Sequence, residues 1–157
     1  MNISEHISYK EATKSATAIR HGIKNKPNDE QLKNIILWAI NIFEPTREAL
    51  GGHPINISSL FRCEKLNKLI GGAKDSQHIA LRGAAGDTDL DNHPTFENCH
   101  FFDYIRYHLE FDQLIWEFGD KYNPAWVHSS YNIKYNRKQI LRAIFKNGKI
   151  IYQTYKD

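Results

Sequence analysis

Apolar positions recur at helical spacing in two parts of the chain and alternate in several others. Leu32, Ile35, Ile36, Ala39, Ile42 and Phe43 follow intervals of three and four and predict a helix with one buried stripe. Asn28 or Asp29 is positioned to cap it, Pro45 to kink or restart it, and Gly51-Gly52 to end it. Phe96, Phe101, Tyr104, Ile105 and Leu109 mark a second helix over residues 94–109. Ser8-Tyr9-Lys10-Glu11 has the form of a capping box, so an earlier helix is expected to start there and end near His21-Gly22. Glu64 to Ile70 predicts a short helix closed by Gly71-Gly72.

Strand signals are shorter. Ile55 to Ser58 alternates, 83–91 is rich in Gly, Ala and Asp, and Phe111 to Phe118 and Ala125 to Tyr131 are apolar runs. Ile144 to Tyr152 predicts a hairpin turning at Asn147-Gly148. A short helix is expected before it, over residues 136–143. Strands follow helices without strict alternation, which predicts an α+β fold: a small, mostly antiparallel sheet flanked by helices. The length of 157 residues suits a single domain, 1–157, and no repeat or linker interrupts it.

Composition narrows the function classes. The chain is 41% hydrophobic and 25% charged, which argues against disorder. A net charge of +3 is weak support for a polyanionic partner, and the basic cluster Lys134 to Arg142 reads as a solvated face, so nucleic acid is not an expected partner. Two cysteines, Cys63 and Cys99, do not make a disulfide scaffold or a zinc ribbon. No apolar run approaches the ~20 residues of a membrane span. Met1 to His6 shows no secretory signal, so synthesis in a cytoplasm is expected.

Six of the eight histidines, His6, His21, His53, His93, His100 and His108, fall in loops or on helix surfaces. His78 differs because it precedes a run of small residues and carboxylates, Gly83-Ala84-Ala85-Gly86-Asp87-Thr88-Asp89-Leu90-Asp91. An imidazole and a carboxylate are two of the three protein ligands that a catalytic zinc needs. His128, flanked by apolar residues in a predicted strand, offers a third.

These residues carry a resemblance. Ser76-x-His78 followed by Gly83-x-Ala85-x-Asp87, with Trp126-Val127-His128, resembles the signature of the zinc D-Ala-D-Ala carboxypeptidases and related endolysin peptidases. Ile57 to Arg62, Glu44 to Gly51 and Phe111 to Glu117 look like the phage and prophage branch. The resemblance implies the fold shared with the hedgehog signalling domain. It implies a zinc peptidase acting on peptidoglycan stem peptides, as a D-Ala-D-Ala carboxypeptidase or an L-Ala-D-Glu endopeptidase. His78, Asp87 and His128 would hold Zn2+, with Asp89 as the alternative carboxylate. Arg62 would grip substrate, Ser76 would support the site or bind substrate, and Trp126 would wall the cleft. An endolysin of this kind would reach the cell wall through a partner pore.

The chain departs from the family pattern twice. Four residues, Ile79 to Arg82, separate His78 from Gly83 where the pattern has two. Ala125 stands where some relatives carry a glutamate as general base. Glu117, on a strand expected beside that of His128, is the replacement, with Asp112 as the alternative. A decayed, wall-binding module of the same fold is the competing expectation.

Overall fold

The computed structural model describes residues 1–156. The chain forms α1 (Tyr9–Ala12), α2 (Ala16–Arg20), α3 (Asp29–Trp38), α4 (Glu44–Ala49), β1 (Asn56–Ser59), α5 (Glu64–Leu69), β2 (Ala84–Asp89), α6 (Asn98–His108), β3 (Gln113–Glu117), β4 (Trp126–Tyr131), β5 (Gln139–Lys146) and β6 (Lys149–Thr154). One sheet runs β1-β2-β4-β3-β5-β6. Its pairs are antiparallel except β3 with β5. The fold is α+β, as the mixed pattern predicts.

Cross-strand partners share a face, and side chains alternate along each strand. Gly86, Ser129 and Leu114 therefore point one way, and Asp87, His128 and Ile115 the other. Helices cover the first face. Trp38 of α3 donates its indole N–H to the Ser129 carbonyl at 3.0 Å and lies against Gly86. A Cβ at Gly86 would sit 2.3 Å from the Trp38 ring, so only glycine admits this packing. Phe102 of α6 meets Trp116 edge-on at 5.2 Å. Ile35, Trp38, Ile42, Phe43, Phe101, Phe102 and Ile105 fill the core between helices and sheet.

Several expected boundaries shift. The first predicted helix is two: Thr13 closes α1, and Ser15, in extended backbone, caps α2 through Ala18 N–H. Asn25 takes the Thr13 carbonyl at 3.0 Å, satisfying the end of α1. Asn28 caps α3 in a capping box with Gln31. A π-helical turn over Ala39–Phe43 runs without a break into α4, Glu44 N–H bonding the Ala39 carbonyl just before Pro45, which has no N–H to give. The predicted second helix starts later, with Glu97 as its cap.

The expected short helix at 136–143 is a correction. Residues 139–143 belong to β5, which pairs in parallel with β3. Asp112 fixes the approach by accepting from Arg137 backbone N–H at 3.1 Å and from Arg137 Nε and Nη2 at 2.7 and 2.8 Å. That sheet pairing overrides the local helical propensity. The hairpin turn at Asn147-Gly148 is present, with both residues at positive φ. Among the described residues, no helix is long and apolar enough to cross a membrane.

Candidate metal centre

The sheet face opposite the helices carries the chemistry. Asp87 in β2 and His128 in β4 are direct cross-strand partners, so the register alone places both side chains on this face. His128 Nδ1 lies 2.9 Å from Asp87 Oδ1. His78 arrives from outside the sheet, on a 3-10 turn over Gln77–Ile79, and its Nε2 lies 3.3 Å from the same Asp87 oxygen. The His78 and His128 rings meet edge to face at 5.1 Å.

The His78 turn is held from three sides. His78 Nδ1 donates to the Leu60 carbonyl at 2.8 Å, and Arg62 N–H returns a bond to the His78 carbonyl at 2.9 Å. From α3, Gln31 donates to the Ile79 carbonyl and Asn34 to the Ala80 carbonyl, each at 2.8 Å. Ser76 caps the turn, its Oγ accepting from His78 N–H at 3.4 Å. The four-residue interval after His78 is therefore a loop and not a longer strand: Ala80 sits at φ 62 and Gly83 at φ 87 before β2 begins.

His78, Asp87 and His128 could together hold a metal ion, one donor atom from each lying within 4.8 Å of the others. The set fits zinc chemistry: two imidazole nitrogens and one carboxylate oxygen, with the Leu60 bond leaving His78 Nε2 free to ligate. The observed donor separations of 2.9 and 3.3 Å approach the ~3.3 Å edge of a tetrahedron with zinc bonds of ~2.0 Å. Burial pushes the Asp87 carboxyl up, but the His78 and His128 imidazoles outweigh it and hold it well below the usual carboxylate range. Asp89 is not part of this group; it accepts from Asp91 N–H at 2.9 Å.

Arg62 reaches in from the loop after β1, with Nη2 3.0 Å from Asp87 Oδ2 and Nε bound to Ser59 Oγ at 2.9 Å. Glu117 and Trp126 are cross-strand partners on the same face, next to the His128–Ile115 pair. Glu117 is 6% exposed. Burial pushes its carboxyl up to about 7; the Asp87 charge adds to this, while His128 and Arg62 oppose it. Ala125 donates its N–H to the Glu117 carbonyl at 2.9 Å, so Ala125 and Glu117 are neighbours across one ladder. Trp126 is half-buried and packs on Phe118 at 5.2 Å. Asp112 is outside this group, both of its oxygens being bound up with Arg137.

The other histidines have structural partners or lie apart. His6 bonds Glu44, and His93 accepts from Thr95 and Phe96 N–H while its Nε2 meets the Leu50 carbonyl. Glu97, Cys99 and His100 also cluster, but His100 Nδ1 accepts the Glu97 N–H that starts α6. Both cysteines are free thiols. Sequence reasoning missed the supports: Leu60 acts through its carbonyl, and Gln31 and Asn34 look like ordinary polar positions on a helix surface.

A family model described as Peptidase M15 matches residues 5–130. None of the curated proteins matches the chain.

Proposed function

The chain belongs to the Peptidase M15 family of zinc D-Ala-D-Ala carboxypeptidase-type enzymes, and on that premise we propose that it hydrolyses peptide bonds in peptidoglycan stem peptides. The supporting observation is the convergence of His78 Nε2, Asp87 Oδ1 and His128 Nδ1 on the sheet face that also carries Glu117. His78, Asp87 and His128 hold Zn2+ in this reading. When bound, the ion supplies a Lewis acid that polarises the scissile carbonyl and acidifies water.

The remaining roles belong to the chain's own groups. Glu117, buried and poised near neutrality, accepts a proton from the attacking water at its carboxylate and returns it to the nitrogen of the leaving amine. Arg62 keeps donors beyond those bound to Ser59 and Asp87, and these grip a carboxylate or carbonyl oxygen of the substrate. Trp126 walls the cleft beside Glu117, and Ser76 acts through the turn that aims His78. The enzyme is an endolysin of phage or prophage type in this reading, cutting either the D-Ala-D-Ala or the L-Ala-D-Glu bond.

Mass spectrometry of muropeptides after digestion of purified peptidoglycan, with and without chelator, tests the proposal. New termini that disappear on chelation, and return with zinc, are expected. Binding to the wall without release of any amine would instead assign a non-catalytic module.

A further inference from the structure

The C-terminal hairpin, residues 139–154, lies beyond the matched segment yet forms part of the metal face. Glu117 faces Ala143 across the β3–β5 pairing, and Ala143 faces Tyr152 across β5–β6. Trp126, Glu117, Ala143 and Tyr152 thus form one row across four strands. Two strand spacings, ~9.6 Å of backbone, separate Glu117 from Tyr152. Only the methyl group of Ala143 stands between them, so the phenol can lean toward Glu117. The charges of Glu117, Asp87 and Arg62 all reach the Tyr152 hydroxyl.

Tyr152 is 53% exposed, on an edge strand, so it is not a core residue. Its hydroxyl makes no hydrogen bond among the described residues. Burial of the ring, with Glu117 and Asp87 adding to it, pushes the phenol up, which keeps it a proton donor at neutral pH. Two residues along on the same face, Phe145 and Ile150 are direct partners and are 69% and 53% exposed. They continue an apolar wall away from Glu117.

Resting on the peptidase reading above, we infer that Tyr152 is a substrate-positioning residue that determines specificity. Its phenol walls the cleft opposite Trp126 and donates a hydrogen bond to a carbonyl or carboxylate oxygen of the bound peptide. Phe145 and Ile150 extend that wall for small apolar side chains of the substrate.

Steady-state kinetics on soluble muropeptides test this with zinc-loaded wild type, Tyr152→Phe, Tyr152→Ala and Gln153→Ala, the last a control on the opposite face of the same strand. Tyr152→Ala should raise KM about tenfold with little change in kcat, and Tyr152→Phe should raise it by less. Both variants should keep wild-type zinc content and melting temperature, and Gln153→Ala should match wild type throughout. An unchanged KM for Tyr152→Ala, beside an active wild type, overturns this role alone. A wild type that turns over no muropeptide overturns the peptidase reading itself, and this role with it.

Discussion

His78 Nδ1 donates to the carbonyl oxygen of Leu60, 2.8 Å away, and this bond turns Nε2 toward Asp87. A backbone carbonyl thereby selects the tautomer in which the ring can bind a metal. His78→Ala and His128→Ala should each weaken zinc binding by at least about a hundredfold, since each removes a ligand outright. Metal analysis after dialysis reads this directly. A full equivalent of zinc retained in both variants would rule out the site.

Glu117→Gln should retain zinc but lower kcat by roughly 10²–10⁴. The wild-type rate should fall on the acid side as Glu117 takes up a proton, with the limb somewhat below 7 in the zinc-loaded enzyme, because a bound dication lowers the carboxyl.

The same residue sets a stability trend in the metal-free protein. The folded-state value of about 7 lies above the ordinary 4.5, so the favourable contribution is present below 4.5 and lost as pH rises through 7. Glu117→Gln removes that loss. Its stability advantage over wild type should grow between pH 4 and pH 8, reaching on the order of 2–3 kcal/mol. Urea titrations in chelator at the two pH values measure it, and an advantage that shrinks with pH would contradict the assignment.

Asp112→Ala should behave in the opposite way, losing stability while keeping zinc and turnover. Burial pushes the Asp112 carboxyl up, but its bonds to Arg137 outweigh this and hold it low. Its contribution is therefore present above the ordinary carboxylate range and lost as pH falls through the depressed value. Arg137 is 46% exposed, so a cost of about 2 kcal/mol is expected near neutrality, closing as pH falls through the depressed carboxyl value. Loss of turnover without loss of stability would make Asp112 the base.

Gly86→Ala should destabilise by about 2–4 kcal/mol, because the new methyl group meets the Trp38 ring, itself fixed by its bond to Ser129. Thermal melting reads the loss. Pairing with Trp38→Phe, which removes the outer edge of the ring that the methyl group meets, should recover part of it.

What was legible in the sequence followed simple periods. Ile35, Ala39, Ile42 and Phe43 are all buried at the spacing that predicted α3 and its continuation. Asn147-Gly148 gave its turn because few dipeptides take two positive φ values so readily. The grouping of His78, Asp87 and His128 was readable because a family signature carries it. The break between α1 and α2 was not, since Asn25 draws off the Thr13 carbonyl from 12 residues away. Nor was β5, whose pairing with β3 depends on Asp112 and Arg137, 25 residues apart. Nor was the loop after His78, because Gln31 and Asn34 of α3 fasten it from 48 and 46 residues upstream.

The parallel pairing of β3 with β5 also orders assembly during synthesis. His78, Asp87 and His128 all leave the ribosome before residue 139 does, so the three can gather while β3 is still a sheet edge. Until β5 docks, the strand bearing Glu117 exposes unpaired N–H and C=O groups along one side. A nascent chain stalled there would hold the metal-binding half of the site while remaining prone to pair with another chain through β3. Completion of the hairpin caps that edge and turns Glu117 into an interior residue.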